Sequence, residues 1–295
     1  MTLSATLLLP LLLAAGLAGS EPMRYIHNAP ESPSDHRYDY QWEMLRTALE
    51  RTRATWGAYE LGAGPAMSER RQQEELERAG GNLTIMYLGT TRELEARLLP
   101  IRIPIDKDLE GYFVFLIRAG DQARFPPGSL RTAGALRLHR FGLGQGWIDV
   151  DILQAGGLQV VTGSNYDGLF DMLAEGRFDL FPRSVVEVLE ELEARKATHP
   201  MLAVEAHHLL HYPMPMYFWF AQSPEGHRLA RRVEEGLRAM IADGTFDRIF
   251  LKYQKSKIQR LKLGERHLIE FPNPLLPEAT PLRDRRLWFD LRRGY

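Results

Sequence analysis

Two arginines stand at the ends of apolar runs, where a guanidinium could do recognition chemistry. Arg92 follows "LTIMYLGTT", an apolar run ending on paired threonines; Arg183 closes "GRFDLFPRS", an apolar run that stops on a proline. A guanidinium is a planar fork that meets a carboxylate or phosphate through two parallel hydrogen bonds. Thr91 and Ser184 place a hydroxyl beside each fork. Each arginine also has a plainer use. Arg92 can pair with Glu93 or Glu95, and Arg183 with Glu187, one turn along the next helix. Asp179, inside the same apolar run as Arg183, reads as a structural acid bonded to neighbouring backbone.

The stretch "FGLGQGWID" carries Gly142, Gly144 and Gly146 but does not complete a dinucleotide fingerprint. It reads as a turn whose amides, at Gln145, Gly146 and Trp147, open a helix and suit an oxyanion. Trp147 either stacks on a ligand or packs in the core. Tyr166 and Glu31 lie in other loops beyond strand ends. Glu205, His207, His208 and His211 invite a metal reading, but the spacing is not HExxH. On a strand, His207 and His211 would lie roughly 13 Å apart, too far for one ion. No metal and no cofactor are expected.

The positioning elements follow from composition and pattern. The chain has 295 residues, 44% apolar and 25% charged, with a formal net charge of −1. That is ordinary globular composition, enough for one large or two medium domains, and it argues against nucleic acid as a partner. Cysteine is absent, which excludes disulfides, thiolate metal sites and cysteine nucleophiles. Residues 1–20 contain a leucine-rich run shorter than a bilayer span, followed by small residues. They read as a signal peptide cleaved near Ala18 or Ser20, with an uncleaved anchor or a buried helix as the alternative. Periplasmic export is the expectation.

From Met23 the pattern alternates strand and helix, the mark of a parallel sheet covered by helices. A second α/β unit begins near "YFVFLIRAGD". In such sheets ligands bind beyond the carboxyl ends of strands. Ser223 caps a helix, Gly244 ends it, and "TFDRIFLKY" opens another. From about residue 255 the chain is rich in proline and arginine and reads as an extended, solvated tail.

Three pieces in this order, "LTIMYLGTTRELEARLLP", "EGRFDLF" and "MIADGTFDRIFLKY", resemble the family 3 periplasmic solute-binding proteins, receptors of polar amino acid ABC transporters. The resemblance implies an α/β, two-lobe periplasmic-binding-protein-like fold with a hinge and a central ligand cleft. Lobe 1 would take 21–106 and 223–256, lobe 2 would take 107–222, and 257–295 would be a C-terminal extension. It also implies a monomer without enzymatic activity that closes on a solute and hands it to a membrane transporter. A sensor serving a signalling partner is the alternative, and a dehydratase on the same fold a further one.

This sequence departs from the family at one informative place. The carboxylate expected for a ligand's ammonium falls at Ser184, beside Arg183. The resulting expectation is an anionic or carboxylate-bearing solute held by Arg92 and Arg183, with Glu31, Thr91, Gln145, Gly146, Trp147, Tyr166 and Ser184 around it.

Overall fold

The computed structural model describes residues 21–30, 38–78 and 80–294. The expected signal peptide and Glu31 lie outside the described residues. The chain opens with β1 (Met23–His27), α1 (Asp39–Arg51), α2 (Arg53–Trp56), β2 (Tyr59–Ala63) and α3 (Glu69–Glu77). It continues through β3 (Met86–Gly89), α4 (Arg92–Arg97) and β4 (Leu98–Ile101). β1 and β2 run parallel, and the lead into β3 joins them through the Thr84 amide on the Ile26 carbonyl at 2.9 Å.

After a crossing at 102–111 the second lobe is built from β5 (Tyr112–Arg118), α5 (Ala133–Leu136), β6 (Arg140–Gly144), α6 (Ile148–Ala155) and β7 (Gln159–Gly163). It is completed by α7 (Tyr166–Ala174), β8 (Phe181–Ser184), α8 (Val188–Ala194), β9 (Leu202–Val204) and β10 (His208–His211). β5 is the spine, antiparallel to β8, β9 and β10. The parallel pair β6 and β7 joins this sheet where the Gly142 amide donates to the Leu180 carbonyl.

The chain then crosses back. β11 (Met216–Ala221) lies between β3 and β4, antiparallel to both, so it is the central strand of the first lobe's sheet. The return to lobe 1 therefore precedes Met216 and not residue 223. Its aromatic run "YFWFA" is buried throughout, because a central strand is covered on both faces; the flanking prolines Pro213 and Pro215 belong to the crossing, where no ladder bond is lost.

α9 (Pro224–Ala242) is capped by the Ser223 hydroxyl on the Gly226 amide. Gly244, at φ 76°, turns the chain into α10 (Thr245–Arg260), which runs on past Tyr253. The segment beyond it is not a solvated tail. β12 (His267–Glu270) adds a parallel strand to β10 at the edge of the second lobe's sheet. Phe271, Leu287 and Phe289 are buried.

α1 packs on α9 across Gly236, where a β-carbon would fall 2.2 Å from the backbone oxygen of Ala48. Only glycine permits that approach. Gly236→Ala should cost about 1–3 kcal/mol of overpacking, measured by urea denaturation; wild-type stability in that variant would show that the two helices simply separate.

Candidate functional site

The strand-end loops of both lobes meet the two crossings, and the candidate residues divide between the two sides. On the lobe 1 side, β3 ends at Gly89 and the Thr90 amide donates to Pro215 in the second crossing. Thr91 caps α4 through its hydroxyl on the Leu94 amide at 3.0 Å. Arg92, in the first turn of α4, is exposed and makes neither an ion pair nor a side-chain hydrogen bond among the described residues. Glu95 bonds Thr90 and Arg102 instead of Arg92. A wall of rings stands beside this edge: His27 stacks on Trp42 at 4.1 Å, Trp42 stacks on Phe218, and Tyr87 meets Phe218 edge-on. Burial lowers the His27 pKa, so its imidazole is neutral at neutral pH.

On the lobe 2 side the residues converge on Arg183, which is only 8% exposed. Its Nε donates to Glu191 Oε2 at 2.8 Å, and its Nη2 donates to Glu191 Oε1 and, at 2.8 Å, to Glu187 Oε2. The guanidinium also lies 5.0 Å from the Trp147 ring centroid, 5.3 Å from Phe181 and 5.7 Å from Tyr166. The Tyr166 hydroxyl donates to Glu191 as well, and burial with that carboxylate raises its pKa. Burial alone would lower the arginine's pKa; the bonds to Glu191 reverse this, so the charge is permanent.

The sequence placed Arg183, Trp147 and Tyr166 in one site, and the structure brings them together, but in a different role. Arg183 does not wait for an external anion. Two carboxylates from the following turn and helix already satisfy its fork. Glu187 was legible as the residue four positions on; Glu191 was not singled out, although at eight positions on it lies near the same side of a continuing helix. Ser184 is buried and paired opposite Phe113 in β5, with its hydroxyl accepting from the Val186 amide at 3.4 Å.

The glycine loop also has a different use from the expected one. The Gln145 amide donates to the Gly163 carbonyl and the Trp147 amide to the Gly144 carbonyl, so neither is turned to an oxyanion. Gly146 has φ 84° and takes the turn. At Gly142 a β-carbon would fall 2.1 Å from the Phe178 ring, and at Gly144 it would fall 2.2 Å from the Trp147 ring. These glycines let aromatic rings lie flat on β6. Of the two uses open for Trp147, packing against the core is the one seen, and the ring stays half-buried beside Arg183. Asp179 is structural, accepting from the Arg140 amide and Arg124 at 2.9 and 3.1 Å. Burial would raise its pKa, but these bonds outweigh it and hold it low.

Between the two sides lies an acidic hinge that sequence reading missed. Asp106 accepts from the amides of Asp108 and Glu110, and Glu110 accepts from the Tyr87 hydroxyl at 3.1 Å. Burial, then the neighbouring Asp108 charge, pushes Asp106 up to about 7; burial and Asp106 push Glu110 upward too. Asp108 bonds His211 Nε2 at 2.9 Å, and His211 Nδ1 bonds Glu270 at 2.8 Å. Of the histidines considered for a metal, His211 thus lies in ion pairs and His208 beside the buried Glu205. No metal-holding cluster occurs among the described residues. Among them, no helix is long and apolar enough to cross a membrane.

Two measurements test these charge arrangements. Arg183→Met leaves Glu191, whose side chain is 10% exposed, without its charged partner and with only the Tyr166 hydroxyl, and should destabilise the protein by about 3 kcal/mol, read by denaturant unfolding. The His211 pKa is the second. Burial lowers it, but Asp108 and Glu270 prevail and push it up from 6.5 to about 9. A group whose folded pKa is raised contributes fully below 6.5 and loses that contribution as pH rises to about 9. Relative to His211→Gln, the wild type should therefore lose stability across that window; parallel pH profiles would contradict the paired imidazolium.

No protein-family model and no curated protein matches the chain. Solved structures do. An ancestral arginine-binding protein bound to arginine is 15% identical and aligns over 80% of this chain and 99% of its own, with a TM-score of 0.51. The probable amino-acid ABC transporter extracellular-binding protein YtmK from Bacillus subtilis is 14% identical over 79% and 98%, at 0.55. A histidine kinase sensor domain with similarity to periplasmic binding proteins is 14% identical over 80% and 96%, at 0.52. About a fifth of this chain lies outside each match, while each neighbour is matched almost whole. The chain has the two-lobed, α/β fold of the periplasmic binding proteins.

Proposed function

We propose that this chain is an exported receptor that holds a small polar solute between its lobes and presents it to a membrane transporter. The solute we infer carries charges of both signs, as an amino acid does. One observation carries this reading: the two candidate arginines are in opposite states. Arg183 is neutralised inside lobe 2 by Glu187 and Glu191, whereas Arg92 is exposed at the strand-end edge of lobe 1. Glu187 keeps 52% of its side chain exposed. A carboxylate on the solute then belongs with Arg92 and an ammonium with Glu187. This narrows the expectation of an anionic or carboxylate-bearing solute, because only one of the two arginines is free to meet it. The amino-acid-binding proteins among the structural neighbours support the same class.

A second reading, a sensor that passes its ligand state to a signalling partner, is supported by the histidine kinase sensor domain with the same fold. Recovery of a permease or of a kinase with the protein from native membranes separates the two readings.

A thermal-shift screen of amino acids, dicarboxylates and phosphorylated solutes tests the solute class, since a ligand that binds only the folded form raises Tm. An amino acid should give the largest rise. Arg92→Ala should abolish it and Glu187→Gln should reduce it. A larger rise with a dicarboxylate, undiminished in Glu187→Gln, would overturn the assignment of opposite charges.

A further inference from the structure

The segment beyond α10 touches both lobes and both crossings in turn. It leaves lobe 1 at Arg260 and pairs β12 with β10 at the edge of lobe 2. Arg266 ties this start down by donating to the carbonyls of Leu261, Glu205 and His208. Phe271 then enters the lobe 2 core against Gly156, where a β-carbon would fall 2.0 Å from its ring. The Asn273 side chain donates to the Pro213 carbonyl in the second crossing at 2.8 Å. The Phe289 amide donates to the Lys107 carbonyl in the first crossing at 2.7 Å. Its ring is wedged between Tyr112 of lobe 2, 5.4 Å away, and Phe250 of lobe 1, 6.1 Å away.

We propose that residues 261–294 form a strap that holds the two lobes in a fixed relation, so that the cleft does not swing freely about the two crossings. A pair of crossing strands alone permits rotation by small backbone changes. Here that rotation would pull the Phe289 ring out of its seat between the lobes and part its amide from Lys107. It would also strain His211, which bonds Asp108 in the first crossing and Glu270 in the strap while stacking on Tyr112 at 4.1 Å. The part of the chain that its structural neighbours do not match is large enough to include this strap. The inference concerns the motion of the lobes and stands whatever the cleft binds.

The chain has no cysteine, so two introduced cysteines carry unique spin labels. Arg70 on α3 of lobe 1 and Leu138 on lobe 2, with side-chain exposure of 90% and residue exposure of 80%, are suitable positions. Pulsed electron-electron resonance on R70C/L138C should give one narrow distance distribution. Adding Phe289→Ala and Glu270→Gln should broaden or shift it, with circular dichroism confirming retained secondary structure. Should that combination unfold, Glu270→Gln with Phe289→Leu is the milder pair and carries the same expectation. A broad distribution in the parent R70C/L138C, whose strap is intact, or an unchanged narrow one in a folded strap variant, would overturn the proposal.

Discussion

The Asp108 carboxylate sits where everything else must fit. It is 1% exposed, accepts from the Met214 amide at 2.7 Å and from His211 at 2.9 Å, and so joins the first crossing to the second. A buried charge without such partners would cost several kcal/mol. The backbone around it is equally constrained: Lys107 and Asp108 both take the left-handed conformation, at φ 57° and 64°. Gly111 lies so close to Tyr212 that a β-carbon would meet its carbonyl oxygen at 2.6 Å. The two sheets hang from this junction, and the C-terminal segment closes over it.

The same rule, that a buried charge must be paired, explains the recognition surface. Arg183 is buried because the rings of Trp147, Tyr166 and Phe181 close around it. Having been buried, it needs Glu191 and Glu187. Arg92 is at the surface, where water solvates it, and needs no partner. Burial therefore decides which arginine is structural and which is available, and it does so for two residues that look alike in the sequence.

Much of the fold was legible because it depends on local pattern. Alternating strands and helices, Ser223 before α9 and Gly244 after it follow from periodicity and capping, which act over a few residues. The aromatic run at 216–221 shows the limit. Prolines flanking a run are usual for an edge strand or a connecting piece, yet this is the central strand of its sheet, because prolines in a crossing remove no ladder bond. The C-terminal segment was read as solvated from its prolines and arginines. Its few apolar residues, Phe271, Leu287 and Phe289, carry the packing, and a compositional reading averages them away.

While the two-lobe arrangement was implied by a resemblance, the sequence by itself determined the alternation of strands and helices in two α/β units, the position of Arg92 just past a strand, and the structural part of Asp179. These rest on neighbours along the chain. Only the tertiary structure decided that Arg183 is already bound by Glu191 and Glu187, that Gly142 and Gly144 make room for rings, and that His211 joins a crossing to the C-terminal strand. The reason is the same in each case. Whether a charge is free, or a glycine is needed, depends on what packs against it from residues distant in sequence, and spacing along the chain carries no record of that.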